Sequence, residues 1–292
     1  MKKVEPKRES EMSAAMMSTM NLELPLVSVV IPTKNSEQFV KACLRSIRNQ
    51  TYPRIECIVV DNFSTDATVT IARTLADRVY QIGPERSAQV NFGVANSFGE
   101  YVFRVDSDFI LDPEVVEQAV NVALSGYEAV VVHNSPDLKV SRLAKVRRFE
   151  VDMYKFDMTH SAARFILKST YLLIGGYDSV ITAGEDYDLQ NRLNEIGAKT
   201  GFISAEAIHL GEPVDLMQAL KKYYTYGKDF KNFLSKNGAR GKFQVSPLRL
   251  IYLRKWRQFV RHPILGTELL IYHTMRFIAS VAGYTSVRLL RR

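Results

Sequence analysis

Two acidic clusters in this chain have the residue types and spacing that chemistry uses. Asp106-Ser107-Asp108 places two carboxylates two residues apart, directly after the apolar run Tyr101 to Val105. On an extended segment alternate side chains point to one side, so such a pair converges on one cation, and oxygen ligands suit Mg²⁺ or Mn²⁺. A cation held there would bind the two phosphates of a nucleoside diphosphate and stabilise the charge that builds as it leaves. Further along, Glu185-Asp186-Tyr187-Asp188 opens a helix whose apolar stripe is Leu189, Leu193 and Ile196, which leaves Asp186 free to face a cleft. A carboxylate there is an adequate base for an attacking hydroxyl. Each cluster also has a plainer reading. Aspartate after a strand is a frequent turn former, and acidic residues at a helix start are favoured by the macrodipole. Asp61 ends the run Ile55 to Val60 in the same way. His209 follows the apolar stretch Ile203 to Ile208, where it serves either as a structural residue or as a third metal ligand.

The elements that must position these groups alternate. Leu26 to Ile31 is a β-branched run closed by Pro32, and Phe39, Val40, Cys43, Leu44 and Ile47 then recur at helical spacing. After the strand ending at Asp61, Ser64-Thr65-Asp66 offers N-cap oxygens to a helix reaching Ala76, and a strand follows near Arg78 to Ile82. A helix over Ser87 to Asn96 and the strand Tyr101 to Val105 complete the pattern, which predicts a mostly parallel, doubly wound α/β sheet. Ligands of such sheets bind beyond the carboxyl ends of the strands, where Asp61 and Asp106 lie. Beyond this point the spacing predicts a helix from Asp112 to Leu124, a strand at Ala129 to Val132, a basic helix from Arg142 to Lys155 and a strand at Ala163 to Leu167.

Composition is that of a folded protein: 46% of the 292 residues are hydrophobic and 24% charged. The net charge of +8 is unevenly spread. From Met217 to Arg292 there are 16 Lys and Arg against only Asp229 and Glu268, so an acidic body carries a basic tail. Residues 1–25 lack the apolar core of a signal peptide and are expected to be a disordered leader. Cys43 and Cys57 sit in apolar periodic segments without metal-ligand spacing, which fits two buried thiols and a reducing compartment. In the tail, Leu216 to Phe233 reads as an amphipathic basic helix interrupted by Gly227. The later apolar runs are broken by charge and are too short to span a bilayer. With Trp256 and flanking arginines they fit helices lying on an anionic membrane surface, or else a cap on the main domain or a dimer interface. Nucleic acid is set aside, because no nucleic-acid motif accompanies the charge.

Five segments, in this order, resemble the family 2 glycosyltransferases of the GT-A fold: VSVVIPTKN from Val27 to Asn35, IVVDNFSTDAT at 58–68, ERSAQVNFGVANSFGEYVFRVDSD at 85–108, ARFILKSTYLLIGGYDSVITAGEDYDLQNRL at 163–193, and HLGE at 209–212. The resemblance implies a catalytic domain over 26–215, with a nucleotide-binding half at 26–110 and an acceptor half at 111–215, followed by the helical basic extension 216–292. It implies donor contacts at Pro32, Asn35, Asp61, Arg86, Gln89, Asn91 and Asp106, and metal ligation by Asp106, Asp108 and His209. Gly176, Asp178 and Glu185 fall on the acceptor side, and Asp186 on the general base. Many relatives carry another aspartate after the triplet, where this chain has Phe109, so the division of labour between Asp106 and Asp108 stays open.

The expectation is therefore an inverting, Mn²⁺- or Mg²⁺-dependent transferase that takes a sugar from a nucleotide sugar, a UDP-sugar first of all. Its acceptor would be a carbohydrate or lipid-linked hydroxyl, and its place the cytoplasmic face of a membrane. A sugar nucleotidyltransferase is the nearest enzymatic rival, but the first turn lacks a Gly-rich, Lys-containing phosphate loop. A receiver domain phosphorylated at Asp61 would need an acidic cluster after the first strand, where Pro32-Thr33-Lys34-Asn35 stands instead. A non-catalytic nucleotide-binding or membrane scaffold would show no donor hydrolysis with any metal.

Overall fold

The computed structural model describes residues 24–158 and 160–289. The nucleotide half follows the alternating pattern: β1 (Val27–Thr33), α1 (Val40–Arg48), β2 (Ile55–Asp61), α2 (Thr68–Leu75), β3 (Arg78–Gln81), α3 (Arg86–Ala95) and β4 (Tyr101–Arg104). These strands lie parallel in the order β3-β2-β1-β4. Every residue of β1 is buried, as an unbroken β-branched run predicts for a strand covered on both faces. Val29, Ile31, Cys57, Val59 and Phe103 pack under α1, while Val30, Ile58, Val60 and Val102 pack under α3. The chain runs outward from β1 to β3 and returns on the other side as β4. The carboxyl ends of β1 and β4 thus flank a topological switch point.

The acceptor half adds β5 (Phe109–Leu111), α4 (Val115–Leu124), β6 (Ala129–Pro136), α5 (Arg142–Met153), β7 (Phe165–Leu167), α6 (Lys168–Leu173), α7 (Glu185–Glu195) and β8 (Thr200–His209). The complete sheet order is β3-β2-β1-β4-β7-β6-β8-β5. Its directions are mixed here: β7 is antiparallel to β4 and β6, β5 is antiparallel to β8, and β6 and β8 are parallel. Two short elements, β5 and α6, carry no spacing signal of their own.

The extension consists of α8 (Leu216–Val245), α9 (Leu250–Arg254), α10 (Trp256–Arg261) and α11 (Pro263–Leu289). Gly227 does not interrupt α8. It is buried at a backbone crossing, where an added Cβ would overlap the Ser280 carbonyl of α11, as one at Gly283 would overlap that of Tyr224. The break in α8 falls instead at Gly238, with φ 51° and ψ −129°. A separate core joins Val146 and Met153 of α5 to Ala219, Ile251, Leu269 and Tyr272. The extension therefore packs on the main body. No helix among the described residues is long and apolar enough to cross a membrane. The expected leader lies outside the described residues except for Leu24 and Pro25. These are tied to the domain, their carbonyls accepting bonds from Arg54 and from the Tyr52 hydroxyl, each at 2.5 Å.

Candidate active site

β4 delivers Arg104 and Val105 to a turn over 106–108, closed by the Phe109 amide donating to the Asp106 carbonyl at 3.1 Å. Because this segment turns rather than extends, the two carboxylates of the triplet diverge. Asp106 accepts from Arg104 Nε at 3.1 Å and from Arg164 Nη1 at 2.9 Å. Asp186, in the first turn of α7, accepts from Arg104 Nη1 at 2.6 Å, Arg164 Nη2 at 3.2 Å and the Tyr177 hydroxyl at 3.3 Å. Two guanidiniums thus tie the end of β4 to the start of α7. Arg104 is 3% exposed and also lies 3.6 Å from Glu185, which is ion-paired with Arg86. Burial alone would push Asp106 and Asp186 up. The charges of Arg104 and Arg164 outweigh it and hold both carboxyls below the usual range. Asp186 is consequently ionised at neutral pH, the state a proton acceptor requires.

Asp108 turns the other way, toward β8. Its Oδ2 lies 3.0 Å from His209 Nε2, and His209 Nδ1 lies 2.6 Å from Glu212 Oε1. Phe109, the departure from the family pattern, stacks on the His209 ring at 4.8 Å and sits under the Arg164 guanidinium at 5.3 Å. It therefore fixes the ring that Asp108 meets. Two ligands at adjacent corners of an octahedron with bonds of about 2.1 Å stand about 3.0 Å apart, so Asp108 and His209 fit a shared divalent cation. Glu212, at 2.6 Å from His209 Nδ1, holds the orientation of that ring. Asp106 is not brought into this pair, because both its oxygens are engaged by arginines. Among the described residues no set of three or more acidic, histidine or cysteine side chains is grouped to hold a metal, so a cation at this pair would need further oxygens from substrate or water.

Both groups line a cavity of about 800 Å³ between the sheet ends and the helical extension. Of the expected site residues, Pro32, Arg86, Asp106, Asp108, Glu185, Asp186 and His209 line it. The others do not, and each has protein partners instead. Asp61 is fully buried, accepting from the Thr33 hydroxyl at 2.9 Å and the Ser64 amide at 2.7 Å. Asn35 holds the Thr65 amide at 2.9 Å, and Gln89 donates to the Thr33 and Val60 carbonyls at 2.9 and 2.6 Å. Asn91 accepts from the Tyr171 hydroxyl and the Tyr177 amide and donates to the Tyr177 carbonyl. Gly176, at φ 66°, has no room for a Cβ beside Asn91 and Tyr171. Asp178 pairs with Lys236 of α8 at 2.7 Å. These six therefore shape the loops around the site. Asn91 and Gly176 in particular set Tyr177, whose ring lies 5.0 Å from the Arg104 guanidinium.

Arg104, Arg164, Glu212 and Arg147 belong to the site and were not singled out by spacing. Arg147 Nε lies 2.6 Å from Glu212 Oε2, and its Nη1 donates to the Tyr223 hydroxyl at 3.3 Å. A continuous polar path thus runs from Asp108 through His209, Glu212 and Arg147 to α8. One signal was available in the sequence: Arg104 is a charge inside the apolar strand YVFRV, and buried strands admit a charge only when it is paired.

Residues 28–171 match the family described as Glycosyl transferase family 2. An uncharacterised glycosyltransferase of Rickettsia typhi is 26% identical over 186 residues, 58% of each chain. The chain therefore spans little more than half the length of that relative. Among solved structures, the mannosyltransferase PcManGT from Pyrobaculum calidifontis, in complex with GDP-Man and Mn²⁺, is similar with a TM-score of 0.59 at 16% identity, covering 95% of this chain and 82% of that one. S. aureus TarS residues 1–349 in complex with UDP gives 0.52 at 18% identity, covering 91% of each chain. These two likenesses show the GT-A fold. The matched segment, residues 28–171, is a glycosyl transferase family 2 domain.

Proposed function

We propose that this protein transfers a sugar from a nucleoside-diphosphate sugar to an acceptor hydroxyl, with inversion at the anomeric carbon. The observation that carries this reading is the convergence of Asp186 and the Asp108–His209 pair on one cavity beyond the strand ends. The acceptor oxygen forms a bond to the anomeric carbon as the bond from that carbon to the diphosphate breaks. Its proton passes to Asp186, and the bonding pair leaves with the nucleoside diphosphate. Arg104, Arg164 and Tyr177 hold Asp186 in place from three sides. A divalent cation bound by Asp108 and His209 would neutralise charge on the departing diphosphate. Mn²⁺ or Mg²⁺ fits that donor set, and PcManGT, solved with GDP-Man and Mn²⁺, supports it by analogy. A UDP-sugar is the first donor to test.

The proposal extends to the cytoplasmic face of a membrane, where a lipid-linked or other membrane-proximal acceptor would be found. Leu248, Leu253, Trp256, Val260 and Ile264 are all more than half exposed on α9, α10 and their flanks, interleaved with exposed Arg254, Lys255, Arg257 and Arg261. An apolar surface edged by cations suits the interface of an anionic bilayer.

The test is a panel of nucleotide sugars with and without Mn²⁺, with nucleoside diphosphate and pyrophosphate release measured separately. Asp186→Asn is expected to bind donor but lose about 10²- to 10⁴-fold in transfer. Asp108→Asn is expected to lose metal-dependent donor binding. Unimpaired transfer by the Asp186→Asn protein, or release of pyrophosphate in place of nucleoside diphosphate, defeats the assignment.

A further inference from the structure

The cavity does not end at the reacting groups. It continues between α5, α8 and α11, where its lining changes character. Four cations, Arg147, Lys222, Arg249 and Arg276, face it there against two carboxylates, Glu150 and Glu212. Arg276 is committed to Glu150, and Arg147 shares Glu212 with His209. Lys222 has no ion-pair partner among the described residues, and its charge acts on both the Glu212 carboxyl and the Tyr223 hydroxyl. Lys222 is exposed at the rim, its ammonium 5.8 Å from the Tyr226 ring, and the hydroxyl of its neighbour Tyr223 accepts from Arg147 at 3.3 Å. The Tyr272 hydroxyl, on a residue only 3% exposed, lines the same region with no hydrogen-bond partner. A buried hydroxyl without a partner is destabilising, and a bound acceptor atom would remove that cost.

Beyond these polar groups the wall is apolar. Tyr226, Phe230 and Leu234 follow one another along α8, and Phe277 and Val281 along α11. Pro247 and Arg249 belong to the cavity, while Leu248 between them is 76% exposed on the outward apolar face. The cavity rim and that face are thus contiguous in the chain.

We propose that this inner chamber is the acceptor subsite and that it takes a phosphate ester carrying an apolar chain. The anionic group lies against Arg147, Lys222 and the Tyr272 hydroxyl, and the chain lies along Tyr226, Phe230 and Phe277. The excess of cations selects an anion, and the apolar wall selects an amphiphile over a free sugar phosphate. This rests on the transferase reading, in which the acceptor hydroxyl reaches Asp186 from the same cavity.

The probes are octyl phosphate, octyl glucoside and inorganic phosphate, each titrated calorimetrically into the full chain below micellar concentrations. Octyl phosphate is expected to bind at one site, about tenfold or more tighter than either of the others. Lys222→Gln is expected to weaken it about tenfold, and the isosteric Tyr272→Phe about fivefold, in proteins whose circular dichroism melts match the wild type. Equal affinity for octyl glucoside would overturn the anion subsite, and equal affinity for inorganic phosphate would overturn the apolar one. Unchanged binding in both variants would place the probe elsewhere and refute the assignment. UDP with Mn²⁺ is titrated in parallel. Failure of the donor reading then shows as absent UDP binding, and failure of the subsite as absent octyl phosphate binding.

Discussion

Arg276→Met tests what docks the helical extension onto the main body. Arg276 of α11 reaches across to Glu150 of α5 with both Nη atoms, Nη1 donating to Oε2 at 2.7 Å. The Tyr252 hydroxyl donates to Glu150 Oε1 at 2.7 Å, and the two charged residues are 8% and 5% exposed. Burial would push the Glu150 carboxyl up, but Arg276 and Tyr252 reverse this and bring it down to about 2. Against an unfolded value of about 4.3, a fall of about two units corresponds to roughly 3 kcal/mol of native-state stability. Because the folded pKa is the lower one, that stability is fully present above about pH 4.3 and is lost as pH falls toward 2. Removing the arginine strands a buried carboxylate, for which the expected cost is roughly 3–5 kcal/mol, in agreement with the linkage figure. Replacing both partners, Glu150→Leu with Arg276→Met, removes the stranded charge along with the bond. The double variant is expected within about 2 kcal/mol of wild type and without the steep loss between pH 4.3 and 2. Urea melts followed by circular dichroism at pH 7 and through the acid range measure the wild type, each single variant and the double. A single variant costing less than about 1 kcal/mol, or a double variant as costly as the two singles added, would refute the pair as the docking element.

Other outcomes follow from the same geometry. Gly227→Val puts a branched side chain into the α8–α11 crossing and is expected to cost roughly 3 kcal/mol by thermal melt, whereas Gly126→Ala, where nothing lies within 4 Å of the added carbon, is limited to strain at its φ of 98°. Vesicles rich in phosphatidylglycerol are expected to sediment the wild-type protein, with binding falling as salt rises. Leu253→Glu with Trp256→Glu is expected to abolish it, and equal binding to uncharged vesicles would contradict the role of the flanking cations. Cys43 and Cys57 are fully buried, with burial pushing Cys57 up to about 12, so neither is expected to react with a thiol reagent until the protein is unfolded.

β1 and β2 were legible because each is a largely apolar, β-branched run bounded by turn residues. Asp108, Asp186 and His209 follow or open elements at the strand ends, which is why the sequence pointed to them, and all three line the cavity. Some features have no local signature. β5 is three residues long and is a strand only because β8 lies beside it. Gly227 looked like an interruption because a glycine in a helix costs propensity; the crossing with Ser280 shows why one is needed there. Asp61, Gln89 and Asn91 belong to donor-site segments by resemblance, but a side-chain amide or carboxylate near a ligand does not announce whether it meets the ligand or the loop around it.

The triplet shows the same limit at closest range. Its two carboxylates were read as one cation site because alternate residues of an extended segment share a side, and the turn after β4 removes that premise. Asp106 and Asp108 then answer to partners 58 and 101 residues away, Arg164 and His209, which no window along the chain connects. Arg104 could have given warning. A buried guanidinium two residues before the triplet requires a carboxylate partner, and Asp106 is the nearest in sequence. Once Asp106 is held by Arg104, its charge is already neutralised, and the carboxylate that remains for the proposed cation is Asp108, with the histidine that Phe109 and Glu212 hold against it.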